Sequence, residues 1–81
     1  MPKILEWNVY KFFFYSNEGE PREPCHVHVR KGEKTAKYWM DPSLELVSSY
    51  EMSSGELKAL QDVVEKNTAM IRRKWNEFFG A

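Results

Sequence analysis

The chain has 81 residues, enough for one small domain spanning 1–81 and no more. Lys+Arg and Asp+Glu number 12 each, so a zero formal net charge removes any bulk electrostatic case for nucleic acid, and the single cysteine excludes an intrachain disulfide. A domain of this size buries only about 60–65% of its unfolded surface; aromatics, at 15% of residues, partly offset so thin a core.

Val9-Tyr10-Lys11-Phe12-Phe13-Phe14-Tyr15 is dense in residues that fit a pleated surface, and its length suits a strand. Trp7 and the segment before it are expected to cap an end of the core. Residues 16–24 follow as a loop, broken by Asn17, Gly19, Pro21 and Pro24. His26-Val27-His28-Val29-Arg30 alternates polar and apolar, the period of a strand with one wet face. Residues 31–34 turn, and Thr35-Ala36-Lys37-Tyr38-Trp39-Met40 returns as the other half of a hairpin. Asp41-Pro42-Ser43 turns again, and residues 44–50 read as a fourth strand.

Ser53-Ser54-Gly55-Glu56 matches the S-x-x-E capping box. After it, Leu57, Leu60, Val64, Ile71, Trp75 and Phe78 fall at helical steps on one stripe, and Gly80 ends the helix. Asn67 interrupts the stripe. Its amide is expected to tie the helix to a strand or loop backbone, or else to face a cleft or a second chain. The expected architecture is α+β in two layers: a three- to four-stranded antiparallel meander over 9–50, packed on one long C-terminal helix over 53–79. The other sheet face is left to solvent or to an interface.

Location follows from what is missing. No apolar run reaches the ~18 residues of a membrane span, and the start, MPKILEWN, has no long apolar core of a secretory signal. A cytoplasmic protein with no membrane partner is expected, and one cysteine fits a reducing compartment.

PCHVHVRK, residues 24–31, holds both histidines, the cysteine and two cations. Residues two apart on a strand share a side, so His26, His28 and Arg30 are expected to look outward while Val27 and Val29 face the helix. Lys37 and Trp39 would join them across the hairpin, and Lys11 from the first strand. Local charge is uneven: residues 16–23 lean acidic, and Arg30, Lys31, Lys34 and Lys37 outnumber Glu33.

Four uses compete for that face. Polar side chains on an exposed sheet need no function. An acid–base pair flanked by cations suits metal-independent RNA cleavage, with one His as base, the other as acid, and Arg30 or Lys37 stabilising the charged phosphorane. Lys11, Lys37 and Trp39 suit binding of an acidic protein, RNA or DNA, with Trp39 as anchor. A metal is the weakest case, because a stable site wants three or four ligands and only Asp41 or the Glu20–Glu23 loop could add one. No cofactor is implied. Cys25 reads as a small packing residue, since His26 points the other way along the pleat.

An aromatic first strand, then P-x-H-x-H-V as Pro24-Cys25-His26-Val27-His28-Val29, then a hairpin strand and a terminal helix with Asn67 and Trp75-Asn76-Glu77-Phe78-Phe79, resembles the domain of unknown function 4160 family of short prokaryotic proteins. The resemblance spans about residues 9–79. Many members carry two prolines before the first His; Cys25 takes the second position here, which implies a less rigid loop. The resemblance makes His26 and His28 the hallmark positions and implies no reaction. It implies one half of a two-gene cassette, arranged like a toxin–antitoxin pair, with a cognate small protein. A non-enzymatic protein- or nucleic-acid-binding module and a homodimer hiding the open face are the alternatives.

Overall fold

The computed structural model describes residues 3–15 and 24–80. The 16–23 part of the proline loop, with Glu18, Glu20, Glu23 and Arg22, lies outside the described residues. Among the described residues five strands precede two helices: β1 (Lys3–Trp7), β2 (Tyr10–Phe13), β3 (His26–Lys31), β4 (Lys34–Trp39), β5 (Glu45–Tyr50), α1 (Ser54–Lys66) and α2 (Thr68–Phe79). The strands form one antiparallel sheet in chain order. The α+β meander expected from the sequence is present, with two differences in detail.

The first is an extra strand. The segment before Val9 does not merely cap the core; it forms β1 and pairs along β2, with Trp7 opposite Tyr10. Two residues make the turn, Asn8 at φ +50° and Val9 at φ +64°. Two left-handed residues are the mirror-type turn that matches strand twist. Asn tolerates that region; a β-branched residue does not. Val9 therefore looked like a strand residue in the sequence and is a strained turn residue in the fold.

The second difference is a break in the helix at Asn67. Its Nδ2 donates to Val63 O at 2.7 Å, and Thr68 Oγ1 donates to Val64 O and Glu65 O at 3.1 and 3.0 Å. Two neighbouring side chains thus compete for the same turn of carbonyls, and Asn67 leaves helical geometry at φ −115°, ψ 18°. The amide binds its own helix, not the strand or loop expected. Helical bonding resumes with Ile71 N donating to Asn67 O at 2.9 Å.

The apolar stripe survives the break. Leu60 and Val64 on α1, and Ile71 and Trp75 on α2, pack on Phe12, Phe14, Val27, Val29, Ala36, Tyr38 and Met40 of the sheet. Removing one such side chain costs about 2–5 kcal/mol, because the cavity relaxes only in part. Phe78, expected on the stripe, is exposed; the Phe79 ring instead packs, tilted, 4.2 Å from that of Trp75. A step of four residues keeps the seam better than a step of three at this end.

Polar contacts fix the start of α1. The capping box closes, with Glu56 N donating to Ser53 Oγ at 3.1 Å and Ser53 N donating to Glu56 Oε1 at 3.0 Å. Glu56 also accepts from Tyr10 Oη at 2.6 Å and pairs with Lys34 Nζ at 3.2 Å. Tyr38 Oη, from within the core, donates to Leu57 O at 2.8 Å. One carboxylate therefore joins the helix cap to β2 and to β4.

Those donors, Tyr10 foremost, hold the Glu56 carboxyl down at about 2, well below the ordinary 4.5. A depressed carboxyl stabilises the fold fully above 4.5 and loses that contribution as pH falls towards 2. Acid titration of stability is expected to show a fall through this window, and Glu56→Gln should flatten it; an unchanged profile in the variant would remove Glu56 as the cause. At the β1–β2 turn, Val9→Gly should relieve the left-handed strain and raise stability by roughly 0.5–1 kcal/mol, read as a higher midpoint in urea. A lower midpoint would show that the exposed Val9 side chain contributes more than its backbone costs.

Candidate functional site

Residues directly opposite in an antiparallel ladder share a face. Lys11 lies opposite Arg30, and Arg30 opposite Thr35; Phe13 lies opposite His28, and His28 opposite Lys37; His26 lies opposite Trp39. The register thus brings Lys11, His26, His28, Arg30, Lys37 and Trp39 to one face of three central strands. Arg30 and Lys37 are diagonal neighbours on it, not a direct pair.

The cationic stretch divides between the two faces. Lys31 and Lys34 close the hairpin opposite each other, beyond the two-residue turn at Gly32, whose φ is +60°. Lys31 lies over the Tyr10 ring at 5.1 Å and Lys34 pairs with Glu56. Only Arg30 and Lys37 remain from that run on the candidate face. Lys37 holds its Nζ 4.7 Å from the Trp39 ring centroid, so its charge sits against the indole.

His26 differs from expectation. It was expected to look outward, but it is 0% exposed. The Trp39 ring lies 5.0 Å away and the Trp75 ring 5.1 Å away, centroid to centroid. Trp75 of α2 meets both Phe14, whose ring belongs to the core, and His26. His26 Nδ1 lies 2.9 Å from Pro24 O. A carbonyl only accepts, so Nδ1 carries a proton and donates it to Pro24 O.

His28 is half-buried and reaches the surface more than His26 does. Its ring stacks on Phe13 at 5.7 Å, meets Tyr15 edge-on at 4.5 Å, and lies 5.3 Å from the His26 ring. Beside this aromatic group, Lys3, Lys11 and Arg30 surround Phe13 in a pocket of about 210 Å³. Lys3 pairs with Glu6 at 2.9 Å, which pulls the Glu6 carboxyl below its ordinary value. Lys11 and Arg30 are both exposed at its rim.

Sequence reasoning missed Lys3, Phe13, Tyr15 and Trp75 as parts of this surface. For Phe13 the signal was available: a residue between Phe12 and Phe14 on a strand must point away from them. Lys3 required knowing that β1 exists. Trp75 required knowing how α2 packs against the sheet.

Two other candidates settle elsewhere. Asp41, considered as a third metal ligand, pairs with Arg72, whose Nη2 also donates to Met40 O at 2.6 Å. Among the described residues no three His, Cys, Asp or Glu side chains converge as metal ligands. Cys25 is buried in the core, and its carbonyl accepts from Met40 N at 2.8 Å. Burial, with the Asp41 carboxylate adding to it, pushes the thiol up to about 11. A protonated, enclosed thiol is a packing group, not a nucleophile.

The fold and this face define a small two-layer α+β protein with an aromatic and cationic sheet surface. No helix among the described residues is long and apolar enough to cross a membrane. The family model for Domain of unknown function (DUF4160) matches residues 10–76, and the chain belongs to that family. No curated protein and no solved structure matches the chain.

Alkylation of Cys25 at pH 8 should be at least about 100-fold slower in the native protein than in urea, since thiolate abundance alone falls by about that factor. Equal rates would mean that the thiol is open and reactive.

Proposed function

We propose that this protein is the nucleic-acid-binding member of a two-protein, toxin–antitoxin-like cassette, and that its sheet face takes single-stranded RNA without cleaving it. The carrying observation is the shared face itself. Lys11, Arg30 and Lys37 flank the part-exposed rings of His28 and Trp39 across three adjacent strands, with the buried Phe13 ring packed against His28. Sheet surfaces of this composition bind single strands by stacking bases on rings while cations track the phosphates. Zero net charge does not oppose this, because the ladder gathers cations that the overall composition averages away. The cassette follows from the family resemblance.

Cleavage is less well supported. An acid–base pair needs both histidines within reach of one phosphodiester. The rings are close enough, but His26 is enclosed by Trp39 and Trp75. His26 suits a positioning role: its Nδ1–H bond to Pro24 O holds the ring against which His28 packs.

Fluorescence anisotropy with a labelled eight-nucleotide RNA tests the reading. Three phosphate contacts predict a log–log salt slope of about −2. Arg30→Ala should reduce the slope by about 0.7. Trp39→Ala should weaken binding roughly 5- to 100-fold with the slope unchanged, provided circular dichroism shows an intact fold. Binding insensitive to salt and to Arg30 would sink the proposal. RNA shortened by the pure protein, and spared by His28→Ala, would restore the catalytic reading.

A further inference from the structure

A strand at the edge of a sheet exposes a row of backbone donors and acceptors, and folded proteins usually protect it with charge, proline or cover. The two edges here differ. β1 carries the Lys3–Glu6 ion pair. β5 is less protected: all six of its residues are exposed, its one charge is Glu45 at its start, and Leu46-Val47-Ser48-Ser49-Tyr50 contains neither charge nor proline. Leu46, Val47 and Tyr50 are 37%, 42% and 59% exposed, half of the large apolar side chains that the described residues leave open.

We propose that β5 receives an extended segment of another protein by strand addition, and that this segment is basic at both ends. Main-chain hydrogen bonds along an open edge supply the affinity in this mode, and side chains set the choice of partner. Six residues give about 20 Å of pairing. The charges choose the occupant. Glu45 opens the strand and Glu51 follows it directly, both exposed, so an uncharged edge is bracketed by two carboxylates.

A second copy fits this edge poorly. Antiparallel self-pairing would bring Glu45 of one copy to the Glu51 end of the other, twice over, and like charges across a ladder are destabilising. The ladder to β4 is also irregular, passing from Lys37 opposite Ser48 to Tyr38 opposite Leu46, which leaves Val47 as an extra residue. Such a bulge twists an edge and hinders flat stacking of identical copies. A lysine at each end of a foreign segment would instead meet a carboxylate.

The test uses the full chain, labelled with nitrogen-15, and two synthetic peptides of alternating valine and threonine, one ended by lysines and one by glutamates. The lysine-ended peptide should shift residues 45–51 and slow their amide exchange. The glutamate-ended peptide should bind at least about tenfold more weakly at low salt. The double variant Glu45→Lys, Glu51→Lys changes only exposed side chains and should reverse that preference. The proposal is overturned if neither peptide shifts these amides at millimolar concentration, or if both bind equally. It is also overturned if the amides become protected with protein concentration alone, which would make a second copy the occupant.

Discussion

Two short helices cannot cover a five-stranded sheet, and most of this structure follows from that constraint. Five strands at about 4.8 Å spacing span roughly 19 Å, whereas a helix with its side chains is about 10–12 Å across. The helices therefore bury the middle of one face, where Phe12, Val27, Val29, Ala36 and Tyr38 are all buried. β5 is left exposed along its whole length. On the opposite face the sheet's own rings pack against one another: Phe13 and Tyr15 meet each other and His28, and Trp39 meets His26.

Two contacts keep so thin an arrangement in register. Glu56 binds its own helix cap, Tyr10 of β2 and Lys34 of β4 through one carboxylate. At the other end Trp75 touches Phe14 and His26, which lie on opposite sides of the sheet. His26 is thus part of the wall between the core and the candidate face. That position gives a buried histidine a structural use whether or not the face beside it binds RNA.

Much of the fold was legible because local chemistry dictated it. The alternation of His26 to Arg30 set a strand, the 31–34 turn set a hairpin, and Ser53 with Glu56 set a helix start. The missed elements have local causes too, but ones that compete. Val9 has strand propensity and occupies a turn, because the pairing of β1 with β2 outweighs the preference of one exposed residue. Asn67 was noticed as a break in an apolar stripe; that it breaks the helix itself depended on Thr68 beside it drawing on the same carbonyls.

The sequence by itself determined which residues share a face. Side chains alternate on a strand with a period of two, so His26, His28 and Arg30 had to point one way, and Lys37 with Trp39 had to follow once the hairpin turn was placed. Only the tertiary structure decided what lies over that face. Alternation gives the direction of a side chain and carries no information about a helix end more than forty residues later. Trp75 of α2 lies against His26 together with Trp39, which leaves Lys11 and Arg30 exposed and His28, Lys37 and Trp39 partly so.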